Sequence, residues 1–305
     1  MEKFNIDGVD IYKWKRGAST FTANPENGAR LMSWSLNLAG SRPRDVIYWQ
    51  DGSPLVGEEG GDVRGGNPIL FPFASSACAD GKIGFWKTPQ GNVLPMKKHG
   101  YAAGGKFEIV NIGDSGFTSK FLPSDECNQA YPYSYEFLVA YRFDELSMLC
   151  QLTLINRDKV RIPWGAGNHF YFKMPWNASH KLENYRLLSD ARKVYRIGKI
   201  PGTLDILENP PSCFADPEFK TNIHCNLKTG VVKFGTYSGE EDVTIIFNDG
   251  GKPAPGFCFV TWSECDGRPF YCVEPWMSPP FSPSNPKHFV DPDSSSTFSV
   301  EVRLY

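Results

Sequence analysis

One carboxylate in the sequence stands where acid–base chemistry would be favoured. Glu274 follows an apolar run from Phe270 to Val273 and is followed directly by Pro275 and Trp276. A run of strand-forming residues bounded by proline predicts a buried strand that stops at Glu274, where a loop begins. A poorly solvated glutamate has a raised pKa and is a stronger base. The alternative is a glutamate at a strand end that points into water.

A second group with chemical potential is His169, in the segment WGAGNHFYF. Gly165 and Gly167 precede it, and glycine permits a close approach between backbone and ligand. The aromatic residues that follow it supply dry walls and stacking faces for a ligand ring. The alternative is a histidine whose polar atoms are satisfied within the core. A carboxylate and a histidine facing one pocket can perform general acid–base catalysis without a cofactor.

The sequence around the remaining histidines gives weaker indications of a catalytic role. His99, in KKHGY, lies at a loop edge beside a glycine. His180, His224 and His288 lie in polar stretches, which predicts surface positions.

Other classes of site find little support. The chain has no GxGxxG segment between a strand and a helix, no GxxxxGK[ST] segment and no GxSxG elbow, so nucleotide-binding and serine-hydrolase sites are not indicated. Cys258, Cys265 and Cys272 recur at an interval of seven, but no CxxC pair or nearby histidine completes a zinc site. The sequence therefore predicts neither a metal nor a cofactor.

Composition bounds the possible partners and location. The chain has 305 residues, and its net charge of −2 gives no reason to expect a nucleic acid or a membrane as partner. No apolar segment has the length of a signal peptide core or a membrane span. We therefore expect a cytoplasmic protein, a monomer or weak dimer, that has free cysteines and binds a small molecule.

The elements that must position these residues are strands. Tyr135 to Asp144 alternates apolar and polar positions and is predicted to pair with Met148 to Asn156, and the closing strand from Phe298 to Leu304 is one-sided. Residues 51–68 are predicted to form a loop, and no long amphipathic helix is evident. So many strands need two large antiparallel sheets packed face to face, which predicts an all-β fold in one domain, 1–305.

Five short segments, in sequence order, resemble a known family. They are GARLMSW, RGGNPILFP, HGY, NHFYF and CVEP, at residues 28–34, 64–72, 99–101, 168–172 and 272–275. Together they resemble the aldose 1-epimerase (galactose mutarotase-like) superfamily, nearest to the glucose-6-phosphate 1-epimerase and related branches. The resemblance implies a large antiparallel β-supersandwich. It also implies interconversion of the α and β anomers of an aldohexose or a hexose 6-phosphate.

The resemblance assigns a role to each matching residue. Glu274 is expected to remove the proton of the anomeric hydroxyl, and His169 to protonate the ring oxygen. His99 and Arg64 are expected to bind sugar hydroxyls or a substituent. The family also has a substrate-binding aspartate between these segments, and Asp216 in FADPEF matches it better than Asp205 does.

One departure from the family leaves the substrate open. The sugar-phosphate branch usually continues its His-Gly-aromatic segment with Ala-Arg, whereas this chain has Ala102 and Ala103. Arg64 with Lys97 or Lys98 could hold a phosphate instead, although lysine lacks the two-pronged geometry of arginine. The alternative for the lysines is a pair of solvated charges.

Two other functions fit the same residues. A non-catalytic carbohydrate-binding β-sandwich would use aromatic stacking faces such as Trp86, Phe170, Trp176 and Trp276. A lyase or glycosidase would need a second carboxylate near Glu274, for which Asp216 is the obvious candidate.

Overall fold

The computed structural model describes residues 1–37, 43–177, 179–239, 242–264 and 267–305, with side chains for all of these except residues 58–60. Cys265, one of the three cysteines spaced by seven, lies outside the described residues. Within them, no helix is long and apolar enough to cross a membrane.

Strands account for most of the described regular structure. In chain order they are β1 (Glu2–Ile6), β2 (Val9–Arg16), β3 (Ser19–Asn24), β4 (Arg30–Leu36), β5 (Arg44–Ile47), β6 (Ile69–Leu70), β7 (Cys78–Ala79), β8 (Lys82–Ile83), β9 (Phe85–Lys87), β10 (Val93–Pro95), β11 (Lys106–Gly113), β12 (Gly116–Leu122), β13 (Tyr135–Phe143), β14 (Ser147–Asn156), β15 (Ile162–Trp164), β16 (Gly167–Asn168), β17 (Phe170–Lys173), β18 (Tyr185–Leu188), β19 (Lys193–Ile197), β20 (Leu204–Leu207), β21 (Asn222–Cys225), β22 (Val231–Thr236), β23 (Asp242–Phe247), β24 (Cys258–Trp262), β25 (Phe270–Trp276), β26 (His288–Val290) and β27 (Ser295–Leu304). The helices are α1 (Gly57–Asp62), α2 (Asp125–Ala130) and the 3₁₀ turns Leu182–Asn184, Pro217–Phe219 and Ser282–Ser284.

Two large antiparallel sheets contain most of these strands. In the described residues, the larger has thirteen strands in the order β1-β2-β3-β4-β5-β17-β25-β24-β21-β19-β20, with β16 paired to β25 and β6. The second has eight, in the order β11-β12-β13-β14-β27-β23-β22-β18. The predicted all-β class and the galactose mutarotase-like supersandwich are confirmed.

The core lies where the two sheets face each other. On β13, Phe137, Val139 and Phe143 are fully buried, as the predicted alternation requires, and β14 pairs with β13 as expected. Phe21 on β3 stacks on Phe143 across the sheets, with ring centroids 4.5 Å apart. Each such side chain contributes roughly 1.5–3 kcal/mol by burial, so aromatic packing is a major force holding the sheets together.

The structure corrects three local expectations. Residues 51–68 contain the short helix α1 rather than a loop throughout. His224, predicted at the surface, is 3% exposed and stacks on Phe259 at 4.2 Å. Strand β25 does not stop at Glu274 but continues through Pro275, which pairs with Phe259, to Trp276. Glu274 is therefore held within the sheet.

Two glycines, one crowded by neighbouring backbone and one in open space, test how far a close backbone contact constrains this fold. Gly100 has φ +75°, and a Cβ there would lie 2.0 Å from Phe71 O, whereas Gly91 has φ +90° and no atom within 4 Å of an added Cβ. Gly91→Ala is expected to lower the free energy of unfolding by about 1–2 kcal/mol, from the left-handed backbone alone. Gly100→Ala is expected to cost about 2 kcal/mol more, because backbone atoms must move. Urea unfolding measures both, and equal losses would contradict the clash.

Candidate active site

A cavity of about 1360 Å³ opens on one face of the thirteen-stranded sheet. Its floor consists of alternate residues of adjacent strands, which share a face because side chains alternate along a strand. These are His169 directly after β16, Tyr171 on β17, Glu274 and Trp276 on β25, Val260 and Trp262 on β24, and Ile223 on β21. Loops carrying Arg64, Ser75, Lys98 and His99 form its walls.

Sheet register brings Glu274 and His169 together. Phe170 pairs with Val273 and Gly167 with Trp276, so His169 stands opposite Glu274, in the short gap between β16 and β17. Glu274 Oε2 lies 3.3 Å from His169 Nε2. Among the described residues, Oε2 has no hydrogen-bond partner. An unpartnered oxygen in a dry site is a ready acceptor for a ligand hydroxyl.

Burial controls the protonation of both groups. It raises the pKa of the Glu274 carboxyl well above 4.5, against the opposing effects of the Lys98 charge and of the nearby Trp276 indole. It lowers the pKa of His169 well below 6.5, and the nearby His99 ring and Lys98 charge act in the same direction. Both shifts favour the uncharged form. Burial therefore favours a carboxylic acid beside a neutral imidazole over an ion pair.

Aromatic contacts hold the imidazole of His169 in place. Its ring is parallel to Tyr171, with centroids 4.8 Å apart and 9° between the planes. His99 and Trp262 meet it edge-on at 5.5 Å and 5.8 Å. A ring packed on three sides has little freedom to rotate away from Glu274.

His99 is held by a strained loop that fixes its tautomer. Its backbone has φ +66°, and its N–H donates to Ser75 O at 2.8 Å. Ser75 N–H in turn donates to His99 Nδ1 at 3.0 Å. Burial lowers the pKa of His99 to about 3, so the ring is neutral with its proton on Nε2. His99 therefore offers an N–H donor to a ligand.

Arg64 lies at the cavity mouth, and a second arginine supports the segment that carries it. Arg64 Nε is 3.9 Å from a carboxylate oxygen of Glu264, and its guanidinium lies 5.6 Å from the Trp262 ring centroid. Sequence reasoning missed Arg30, which is 3% exposed and donates at 2.6 Å to the carbonyls of Val63 and Gly65. An arginine inside the apolar segment GARLMSW was the signal that could have identified it.

The two lysines at the cavity differ in their surroundings. Lys97 Nζ pairs with Glu126 at 2.8 Å. Lys98 lines the cavity and, within the part of the chain that the structure describes, makes no ion pair. Its charge acts on the pKa of Glu274, His169 and His99. Lys98 is thus a cation to which an anionic ligand group in the cavity has access.

Asp216 is not brought to the cavity. Its Oδ1 accepts a hydrogen bond from Glu218 N at 2.8 Å and caps the 3₁₀ turn Pro217–Phe219. Asp205 lies on the edge strand β20, also away from the cavity lining. The segment FADPEF, predicted to supply a ligand, supplies a local cap and Phe219, which packs against Tyr271 at 5.6 Å.

Most of the tryptophans and phenylalanines considered as stacking faces belong to the core. Trp86 and Phe170 are 0% exposed and Trp176 is 6% exposed, and none of them lines the cavity. Trp276 does line it, together with Trp262.

His169, Cys272 and Glu274 offer donor atoms within 4.8 Å of one another, a set that suits zinc in principle. Cys272 is fully buried and absent from the cavity lining, and burial raises the pKa of its thiol well above 9.0. Metal binding would have to displace the proton of that thiol. Acid–base chemistry at Glu274 and His169 would not need the Cys272 thiol to lose its proton.

Comparisons with known proteins are consistent with this geometry. The family model described as aldose 1-epimerase matches residues 11–221, a span that includes Arg64, His99 and His169 but not Glu274. Protein LacX (plasmid) of Lactococcus lactis subsp. lactis is 24% identical over 231 residues, covering 70% of this chain and 74% of LacX.

Solved structures share the fold at low sequence identity. A galactose mutarotase-like protein from Clostridium acetobutylicum superposes with a TM-score of 0.79 at 15% identity, covering 100% of this chain and 98% of that chain. Galactose 1-epimerase from Lactobacillus acidophilus NCFM superposes with a TM-score of 0.68 at 12% identity, covering 100% and 97%.

The buried carboxyl predicts a pH-dependent difference in stability between the wild type and Glu274→Gln. An unfolded glutamate ionises above its ordinary pKa of 4.5, whereas folded Glu274 keeps its proton to higher pH. Above pH 4.5 the unfolded wild type therefore binds fewer protons than the folded state, so its stability falls with rising pH relative to the variant. The slope is about 1.4 kcal/mol per pH unit until the folded pKa is reached.

Urea unfolding at pH 5 and pH 8 measures this difference, and effects of the other titrating groups largely cancel. The variant-minus-wild-type free energy of unfolding is expected to be larger at pH 8, by at most about 4 kcal/mol for one proton over three pH units. A difference that does not change between the two pH values would mean that Glu274 is ionised in the folded protein.

Proposed function

The chain belongs to the aldose 1-epimerase family, and from that premise we propose that it interconverts the α and β anomers of an aldohexose or a hexose 6-phosphate. Glu274 is the general base in this proposal, and His169 is the general acid. The observation that carries it is the 3.3 Å approach of their side chains on the floor of an open cavity. Ring opening needs one proton removed and another delivered on different oxygens, so two such groups must face one sugar.

The number of protons that Glu274 and His169 hold between them fits this reaction. Before ring opening, the reactive form is a carboxylate beside an imidazolium, which holds one proton in total. Glu274 takes the proton of the anomeric hydroxyl, the bond from C1 to the ring oxygen breaks, and His169 protonates that oxygen. The pair is then a carboxylic acid beside a neutral imidazole, the form that burial favours. The dry site thus stabilises the enzyme form that accompanies the open-chain aldehyde.

Ring closure reverses these transfers on either face of the aldehyde. His169 takes the proton from the hydroxyl that attacks C1, and Glu274 returns a proton to the carbonyl oxygen. Each positioned group contributes about 10²–10⁴-fold, which together lowers the barrier by roughly 5–11 kcal/mol. The cavity, about 1360 Å³, leaves space for rotation about the bond to the carbonyl carbon.

Surrounding groups are suited to hold the sugar during this rotation. Trp262 and Trp276 present aromatic surface to the cavity, and neutral His99 presents an N–H donor. A glycosidase would need a second carboxylate close to Glu274. Asp216, the predicted candidate, caps a turn elsewhere, which favours the epimerase over that rival.

Substitution of either group tests the assignment and separates it from a non-catalytic sugar-binding role. Glu274→Gln and His169→Asn are each expected to lower kcat for anomer interconversion by about 10²–10⁴-fold. Sugar binding should change much less, because each variant keeps a polar side chain of similar size. Polarimetry of freshly dissolved α-glucose measures the rate, and calorimetry measures binding.

Glu126→Gln is the matched control, because Glu126 also lines the cavity but pairs with Lys97 at its edge. Its kcat should stay close to the wild-type value. If both pair variants equilibrated anomers as fast as a catalytically active wild type, the assignment of Glu274 and His169 would be wrong. If the wild type did not exceed the uncatalysed rate, a binding role would replace the epimerase.

Within this function, we propose that the substrate carries a 6-phosphate. The support is Lys98, a cation at the cavity wall whose charge reaches Glu274, with Arg64 across the mouth. We expect kcat/KM for glucose 6-phosphate to exceed that for glucose. Lys98→Met should lower the former about tenfold more than the latter, the equivalent of about 1.4 kcal/mol for a lost charge pair, because the Lys98 charge acts on Glu274 and His169 with either sugar.

Lys97→Met controls for removal of a neighbouring charge, since Lys97 is already paired with Glu126. Equal effects of Lys98→Met on both sugars would exclude phosphate binding by Lys98. The epimerase assignment would then stand with an unphosphorylated substrate.

A further inference from the structure

Asn67 lies directly behind the acid–base pair and makes three hydrogen bonds with its side chain. It is 0% exposed and does not line the cavity. Its Oδ1 accepts from the backbone N–H of His169 at 2.8 Å. Its Nδ2 donates to Asn168 Oδ1 at 2.8 Å and to Tyr141 Oη at 2.7 Å. Two of the three hydrogen bonds of the carboxamide therefore go to the segment that carries His169.

The sheet explains why this contact is needed. Strand β17 has β5 as its neighbour, at Phe172 and Ile47, while β16 has β6. Between β5 and β6 the chain leaves the sheet, so among the described residues no neighbouring strand faces the junction of β16 and β17. The segment around Gly66 fills this gap. Gly66 O accepts from Tyr171 N–H at 2.9 Å, and the Asn67 side chain accepts from His169 N–H.

Backbone geometry places Asn67 in that gap. Gly66 has φ +67°, and a Cβ there would lie 2.2 Å from Leu31 O. Asn67 N–H donates to the same Leu31 O at 2.8 Å. On the opposite side of the junction stands Pro275, which has no N–H to offer the ladder. On the side of β5 and β6, a side chain therefore takes the place of a strand in accepting the His169 N–H.

We propose that Asn67 is a positioning residue for the acid–base pair. It holds the His169 backbone so that the imidazole stays opposite Glu274, and through Tyr141 on β13 it ties this junction to the opposite sheet. This role rests on the proposed epimerase function. Misplacement of a reacting group by about 1 Å can cost 10²-fold in rate, so Asn67 is expected to act on kcat without touching the sugar.

Two substitutions separate positioning from stability. Asn67→Ala removes the acceptor and leaves a buried N–H unpaired, whereas Asn67→Asp keeps an acceptor oxygen in the same place. Asn67→Ala is expected to lower kcat for glucose anomers about 10–100-fold, with KM within about threefold. Asn67→Asp is expected to recover at least half of that loss on a logarithmic scale.

Asn156→Ala is the matched control. Asn156 is also 0% exposed, and its Nδ2 donates to the carbonyls of Val160 and Val290 at 2.8 Å. It lies on β14 of the opposite sheet, so its loss should reduce stability similarly but leave kcat unchanged.

Amide hydrogen exchange at His169 supplies a readout that does not depend on turnover. Relative to Asn156→Ala, the Asn67→Ala variant should exchange this amide at least tenfold faster, and Asn67→Asp should restore its protection. If Asn67→Ala and Asn156→Ala gave the same kcat and the same His169 exchange, Asn67 would be a structural residue only. If exchange responded as expected while the wild type itself failed to interconvert anomers, the positioning contact would stand and the proposed function would fall.

Discussion

The site depends on holding two buried titratable groups 3.3 Å apart on the floor of a cavity. Sheet register achieves this, because Glu274 and His169 stand opposite each other on neighbouring strands. Burial disfavours the charged form of each group, so the pair is most stable when both groups are neutral. At pH values above the ordinary pKa of a glutamate, desolvation of Glu274 lowers the stability of the fold. The same desolvation increases the basicity of its carboxylate.

Much of the surrounding architecture supports this pair without touching the cavity. The Arg30 guanidinium holds the carbonyls before Gly66, and Asn67 takes the amide of His169 where no strand can reach it. Aromatic packing between the sheets, such as Phe21 on Phe143, supplies the burial that compensates for dehydrating polar groups. Rigid strands carry the acid and the base, while loops carry the groups proposed to hold the sugar. Such a division permits substrate range to vary at the loops without disturbing the reacting pair.

The sequence predicted the strands well where one face is buried, because period-two alternation is a direct consequence of that burial. The closing strand β27 and the β13–β14 pair lie as expected. Prediction failed where a local interaction competed with a distant one. Asp216 precedes a proline and an amide that it can cap, and this short-range hydrogen bond outweighs any role at a remote cavity. The proline after Glu274 was expected to end its strand, but Pro275 keeps its place opposite Phe259 and the strand continues to Trp276.

Residue types and their order determined the fold class, the family and the two groups capable of exchanging protons. Which aromatic residues face the cavity was decided by tertiary structure, since Trp276 and the core residue Trp86 are equally apolar in sequence. The residues that support His169 could not be predicted from the sequence. Asn67 and Tyr141 are separated from it by 102 and 28 positions, and only the folded sheets bring Asn67 to the His169 N–H and Tyr141 to Asn67. Protonation follows burial, and burial is a property of the assembled sheets. The sequence thus identified the proposed acid and base, and only the fold placed Glu274 and His169 opposite each other in a buried site.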